Sequence, residues 1–393
     1  MNYDKDSRPN GVDTITGEVL AEAMPWIKNI TGKTIVIKYG GSAMVDEQLR
    51  AEVMADIVLL KIIGVNPVIV HGGGLAISEA MKRFDMPVKF IDGQRVTTDA
   101  AMKVVRSVLA GQVNQELVEA MNEHGRVAVG LSGADGATII AEQASEQLGR
   151  VGRVVRINSQ LLEDLVSANY IPVLASVGIG EEPGSGFFNV NADVVAGHVA
   201  AAIGAHKVFF LTDVDGLYRD FDDKSTLISR ISLDEVREMV DKKQVSTGMI
   251  PKLRSCIRAL DAGVHRAHIL NGTTPHALLL EMLTDKGVGT MIVPPDGDAA
   301  HQGEADCQQH RHRNKDGELR AQRHGTLGHI ALKHHLVDLR ALKPAVQTIG
   351  AACETEGGHQ DERRCGQNRQ HHAQHSQREE EETSCRPQAV AQA

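Results

Sequence analysis

The 393-residue chain reads as an α/β protein: an open, mostly parallel central sheet of about eight strands sandwiched by helices, in two lobes. Two observations predict this. First, short apolar runs stopped by glycine alternate with helical patterns from residue 35 to residue 293, the signature of strands buried on both faces by crossover helices. Second, one strand–glycine–helix device occurs twice in succession, as IVIKYGG at 35–41 and VIVHGGG at 68–74. In such sheets ligands bind beyond the C-terminal ends of the strands, so the two glycine turns are the first candidates for a site.

Residues 1–12 are polar. Residues 13–30 place Val19, Leu20, Ala23, Met24 and Ile27 on one helical stripe, with Trp26, the only tryptophan, beside it. Pro25 predicts a kink or a second helix start there. Strand, glycine turn and helix follow over 35–63 and again over 68–84, then a polar connector through Arg95. Thr98 reads as the N-cap of a long helix ending near Gly125. VAVGLSG (127–133) is a strand running into glycine, and segments near 137–141 and 151–157 suggest a hairpin. A helix over 159–168 and the strand IPVLASV (171–177) follow.

After the loop GIGEEPGSG (178–186) the pattern restarts. FNVNADVVAGHVAAAIGA reads as a turn and helix, and KVFFLTDVDG (207–216) as strand and turn. Ser232 and Glu235 have the spacing of a capping box. GMIPKLRSCIRALDAG (248–263) is a helix that tolerates Pro251 in its first turn. HRAHIL (265–270), a helix over 275–284 and GTMIV (289–293) complete the pattern. The predicted organisation is an N-terminal extension (1–30), an N-terminal lobe (31–185), a C-terminal lobe (186–294) and a tail (295–393).

The net charge of −9 argues against nucleic acid or an anionic membrane as the main partner. No apolar run reaches transmembrane length and Met1–Asn10 is polar, so a cytoplasmic protein without a signal peptide is expected. Cys256 is the only cysteine before residue 300, which offers neither a disulfide framework nor a metal site. From about Asp296 the composition breaks: the tail beyond residue 300 has no Phe, Tyr, Trp or Met and holds 11 of the 18 histidines. It lacks the means to build a core and reads as disordered. A metal-binding tail is the alternative, although its cysteine spacings match no zinc pattern; a shifted reading frame is another.

The chemistry starts at the glycines. Gly72, Gly73 and Gly74 let the backbone come within hydrogen-bond distance of a ligand, and the following helix N-terminus favours an anion. A turn made only for chain reversal is the other reading. Lys38 sits just before Gly40 and Gly41 at a strand end, where it can neutralise an anion held on their amides. Lys252 is a second such cation, after the loop QVSTG. Two cations facing one phosphate suit phosphoryl transfer, which needs positioning and charge stabilisation above all. Neither a P-loop GxxxxGK[ST] nor a protein-kinase HRD/DFG set is present.

KYGG, HGGG, GQRVT (93–97), FNVNAD (188–193), LTDVDGLY (211–218) and GMIPK (248–252) stand in the order found in the amino acid kinase family. The sequence resembles that family, and within it the arginine-regulated N-acetylglutamate kinases, over roughly residues 14–293. The resemblance implies ATP as phosphoryl donor, with Mg²⁺ carried by the nucleotide and no protein metal site, and N-acetyl-L-glutamate as acceptor. It implies that Lys38, with Gly40 and Gly41, holds the transferring phosphoryl group, that Lys252 stabilises the leaving phosphate, and that Asp193 organises the two lysines. Gly73 and Gly74 would meet the γ-carboxylate, Arg95 the α-carboxylate, and Asn189 the acyl substrate. Asp213, Gly216, Leu217, Tyr218 and Ser246 would frame ATP. His71 is expected to orient the glycine turn rather than to transfer a proton.

Resemblance to the regulated members further implies a homo-oligomer: a dimer, and a hexamer interlaced through the N-terminal helix. L-arginine would act as inhibitor between that helix and a region containing Trp26, His268, Glu281 and Gly287. Two other readings stay open, a kinase for another acid (aspartate, glutamate or carbamate) and a non-catalytic amino-acid or nucleotide sensor on the same fold. One departure is visible: the family commonly has Pro after HGGG, and this chain has Leu75.

Overall fold

The computed structural model describes residues 14–295 except Val45, Thr247 and Lys286; the tail expected to be disordered, and residues 1–13, lie outside the described residues. Helix α1 (Thr14–Ile30) continues through Pro25. Strand β1 (Thr34–Tyr39) is buried at every position after the first, as its unbroken apolar run requires. Asp46 then caps α2 (Glu47–Ile62), its side chain accepting from the Leu49 amide at 2.8 Å. β2 (Asn66–His71) leads through the glycines into α3 (Gly74–Arg83).

The connector to Arg95 is more ordered than expected. It forms a two-stranded hairpin of β3 (Phe90–Ile91) and β4 (Gln94–Arg95). Thr98 caps the next helix as predicted, accepting from the Ala101 amide at 3.1 Å. That helix is not uniformly α: α4 (Asp99–Arg106) widens into a π-helical segment, Ser107–Val113, before α5 (Asn114–Asn122).

β5 (Ala128–Ser132), β6 (Ile139–Gln143), β7 (Val151–Ile157), α6 (Gln160–Ser167) and β8 (Ile171–Ala175) follow. The run 171–177, expected to be one strand, breaks at Ser176, and β9 (Val177–Ile179) leaves the main sheet. FNVN is likewise a strand rather than a turn: β10 (Phe187–Val190) precedes α7 (Ala192–Ala202). β6 and β7 form the expected antiparallel hairpin, and with β9 and β10 they close a small barrel in the order β10-β7-β6-β9. After β11 (Lys207–Thr212), the short strand β12 (Arg230–Ser232) ends in the capping box of α8 (Leu233–Asp241). α9 (Ile250–Asp261), β13 (Arg266–Asn271), α10 (Ala277–Leu283) and β14 (Thr290–Val293) complete the described chain.

The main sheet has eight strands in the order β12-β14-β13-β11-β1-β2-β8-β5. Every pairing is parallel except β13 with β14. Period-two alternation divides the core in two. Ile35, Ile37, Tyr39, Ile69 and Phe209 face one layer, where Met54, Ile57 and Leu60 of α2 and Leu117 of α5 pack on them. Val36, Val68, Val70, Val208 and Phe210 face the other, against Val195 and Val199 of α7 and Leu253 and Cys256 of α9. Among the described residues, no helix is long and apolar enough to cross a membrane.

Candidate active site

Lys38 is two residues beyond Val36, so alternation aims it at the face covered by α7 and α9. α7 opens with Asn191, whose side chain accepts from the amides of Asp193 and Val194. This cap leaves Asp193 in the first turn, where the helix dipole favours a carboxylate. Lys252 stands in the first turn of α9, beside Pro251. The three meet: Lys38 Nζ lies 3.0 Å from Asp193 Oδ1, and Lys252 Nζ 3.1 Å from Oδ2. Burial alone would push the Asp193 carboxyl up, but the two ammonium groups outweigh it and hold the group below the usual carboxylate range. Two cations around one anion leave surplus positive charge for an anionic ligand. At Gly40 a Cβ would stand 2.8 Å from Lys38 Nζ, so glycine leaves the ammonium its room.

The glycine turn after β2 forms the opposite wall. A Cβ at Gly73 would fall 2.7 Å from Leu109 Cδ2 and 3.2 Å from Val113 Cγ2, both on the π-helical segment. Close approach of backbone to helix therefore fixes this glycine. Arg95 is buried at the end of the hairpin; its guanidinium donates to Gly74 O at 2.7 Å and to Ser78 Oγ at 2.6 Å, and lies 4.8 Å above the Phe90 ring. Asn189 on β10 donates to Thr97 Oγ1 at 3.1 Å. Lys38, Gly73, Gly74, Arg95, Asn189 and Asp193 all line one cavity of about 230 Å³. His71 is fully buried, which lowers its pKa to about 4, so the ring is neutral. Its Nδ1 lies 2.9 Å from Gly72 O, in keeping with a role in orienting the turn.

The residues expected to frame a nucleotide divide. Asp213 and Ser246 are exposed. Gly216, Leu217 and Tyr218 are buried within their own turn: the Leu217 amide donates to Thr290 Oγ1 at 2.8 Å, and a Cβ at Gly216 would meet that oxygen at 2.3 Å. Tyr218 donates its hydroxyl to Asp215 Oδ2 at 2.5 Å, and Asn271 donates to Asp215 Oδ1 at 2.8 Å. Their side chains shape the turn rather than present themselves to a ligand, and Asp215, which sequence reading passed over, ties it together.

In the region compared with an arginine site, His268 on β13 and Glu281 on α10 form a buried pair, Nδ1 to Oε1 2.7 Å. Glu281 Oε2 also accepts the amides of Val288 (2.8 Å) and Gly289 (3.2 Å). Gly287 has φ +56°, and a Cβ there would stand 2.8 Å from Glu281 Oε2. Trp26 is half-buried on α1, which touches α10. Among the described residues no three His, Cys, Asp or Glu side chains gather as metal ligands.

Residues 33–271, more than half of the chain, match the amino acid kinase family. The chain belongs to that family. Over 284 residues it is 46% identical to an acetylglutamate kinase of Caldanaerobacter subterraneus subsp. tengcongensis, covering 72% of this chain and 94% of the relative. It is 48% identical over 281 residues to an acetylglutamate kinase of Halothermothrix orenii, covering 70% and 96%. Among solved structures, an N-acetylglutamate synthase of Neisseria gonorrhoeae complexed with coenzyme A and N-acetyl-glutamate is similar with a TM-score of 0.62 at 25% identity. The match covers 70% of this chain and 63% of the synthase, less than two thirds of that longer chain. As an amino acid kinase the protein is an enzyme, and the Lys38–Asp193–Lys252 cluster, formed by one strand end and two helix N-termini, is its most distinctive site feature. Sequence reading passed over Ser78, Asn114 and Asp215.

Proposed function

We propose that this amino acid kinase transfers the γ-phosphoryl group of ATP to the γ-carboxylate of N-acetyl-L-glutamate, giving N-acetylglutamyl 5-phosphate and ADP in arginine biosynthesis. The observation that carries the reading is Lys38 and Asp193 in one cavity with the Gly73–Gly74 turn and Arg95, with Lys252 paired to the same Asp193 carboxylate. Identities of 46% and 48% to acetylglutamate kinases along nearly their whole length support the choice of acid.

In this reading a carboxylate oxygen forms the new bond to the γ-phosphorus while the bond to the β–γ bridging oxygen breaks, and that electron pair leaves with ADP. The acceptor carboxyl is already ionised near neutral pH, so no general base is needed. Lys38, with the Gly40 and Gly41 backbone, steadies the charge on the transferring group, and Lys252 the charge on the leaving phosphate. Asp193 keeps the two ammonium groups apart and aimed. The amides of Gly73 and Gly74 take the γ-carboxylate, Arg95 the α-carboxylate, and Asn189 hydrogen-bonds the acyl substrate. The nucleotide, bringing Mg²⁺ on its phosphates, lies along the Asp213–Tyr218 turn and Ser246. Residues 31–185 then form the acyl-substrate and dimerisation lobe and residues 186–294 the ATP lobe.

The enzyme is further read as a cytoplasmic hexamer, a trimer of dimers, inhibited by L-arginine. Exposed Val19, Leu20 and Met24 on α1 support assembly through that helix. The guanidinium of arginine would share Glu281 with His268, near Trp26 and Gly287. ADP release measured with the full-length chain, ATP, Mg²⁺ and a panel of acids tests the core of this reading. Turnover is expected with N-acetyl-L-glutamate. Turnover with aspartate, glutamate or carbamate in its place, or with no acid at all, overturns it.

A further inference from the structure

Asn114 opens α5 where the π-helical segment ends, and only 1% of it is exposed. Its Nδ2 lies 2.8 Å from Val173 O on β8 and 3.0 Å from His71 Nε2. Its Oδ1 is buried without a hydrogen-bond partner. Turning the carboxamide over would set two oxygens 2.8 Å apart at Val173, so the nitrogen has to face the strands. A buried carbonyl left unpaired is costly and calls for an explanation. Gly130 makes the placement possible, because a Cβ there would stand 1.9 Å from Asn114 Oδ1.

The hydrogen-bond inventory then fixes the histidine. One Asn114 N–H goes to Val173 O and the other faces His71 Nε2 at 3.0 Å, nearer than Leu131 O at 3.5 Å; two donors cannot face each other at that distance, so Nε2 must offer a lone pair. The ring proton is on Nδ1 and is donated to Gly72 O at 2.9 Å. Gly72 O and the Gly73 N–H belong to one planar trans peptide and point opposite ways. His71 lies on the sheet face of Ile69 and α5, so the Gly73 N–H points to the other face, where α7 carries Asp193. Gly72 is close to α7 there, since a Cβ on it would lie 3.4 Å from Ala192 Cβ.

We propose that Asn114 is a positioning residue: by holding His71 in its Nδ1–H tautomer it fixes the Gly72–Gly73 peptide and aims the Gly73 amide at the acyl substrate. The inference rests on the proposed reaction for what binds at Gly73, and on geometry alone for the tautomer.

The test combines kinetics with histidine-selective ¹⁵N spectra of the full-length chain. Wild-type His71 is expected to carry its proton on Nδ1 with Nε2 bare. Asn114→Leu should lose that single tautomer and raise KM for N-acetyl-L-glutamate at least about fivefold, the scale of one hydrogen bond, with KM for ATP nearly constant. His71→Asn, which keeps a donor near Nδ1, should lose less affinity for the acid than His71→Leu. A wild-type His71 protonated on Nε2 overturns the inference whatever the activity, and this readout does not depend on any variant folding. A wild type active on N-acetyl-L-glutamate whose Asn114→Leu variant keeps its KM also overturns it. A wild type inactive on that acid overturns the proposed reaction instead, while the tautomer still decides the role of Asn114.

Discussion

Asp193 is the residue on which the site turns, because without it the ammonium groups of buried Lys38 and half-buried Lys252 would stand together uncompensated. Each lysine, in the proposed reaction, stabilises charge that develops only as the phosphoryl group moves. Lys38→Ala and Lys252→Ala should each lower kcat by at least about a hundredfold, the effect of losing one electrostatic stabiliser, while KM for N-acetyl-L-glutamate changes little. In the proposed reaction Arg95 holds the α-carboxylate, remote from the bond that forms, so Arg95→Ala should mainly raise that KM. Near-normal kcat in either lysine variant would show that the phosphoryl site lies elsewhere. Lys38 was legible in the sequence because glycines follow it at a strand end. Asn114 was not, because its meaning depends on His71 and Val173, 43 and 59 residues away in the chain. Local spacing gives no sign of such contacts.

At the scale of elements, the glycine turn passes directly into α3, whose first helical residue is Gly74, which leaves Leu75 second and 57% exposed. Proline fits the first turn because the amide it removes has no partner within the helix. Leu75→Pro should therefore stabilise the fold by about 0.4–1 kcal/mol, chiefly by restricting the unfolded chain. A rise in Tm with unchanged turnover is the expected result, and a fall would mean that the Leu75 amide is used elsewhere. The strands of the main sheet were legible because burial on both faces makes them continuous apolar runs. The small barrel was only half legible. β9 and β10 have three and four residues, too few to show a period, and Phe187–Val190 reads as the approach to a helix cap. The π-helical segment left no mark either, since one widened stretch barely disturbs an apolar stripe of helical period. Yet that segment brings Leu109 and Val113 against Gly73 and sets Asn114 beneath His71.

The whole molecule poses the question of assembly. Val19, Leu20 and Met24 are 45%, 51% and 66% exposed on α1, an apolar stripe that the described fold leaves uncovered and a second copy of the chain would cover. The base of the helix belongs to the core: Ile30 is buried, and Ile27 O accepts the Thr31 amide at 3.0 Å. Removing residues 1–30 would therefore also take Ile30 out of the core, and Leu20→Glu with Met24→Lys is the cleaner test. In the proposed hexamer these two changes should give dimers by sedimentation that retain turnover and no longer respond to arginine. An arginine bound at the proposed site, away from Lys38 and Asp193, would inhibit by favouring one arrangement of the subunits over another, so inhibition of the wild type should be sigmoidal and should weaken on dilution to dimers. In that reading arginine would have to compete at Glu281 with a pair already made, since His268 and two amides take up the carboxylate. Glu281→Ala should therefore weaken inhibition while kcat stays at its wild-type value, because the partners of the carboxylate are His268 and the amides of Val288 and Gly289, not Lys38, Asp193 or Lys252. A full-length chain that sediments as a dimer and stays fully active in millimolar arginine would remove the regulatory reading and leave the kinase assignment standing.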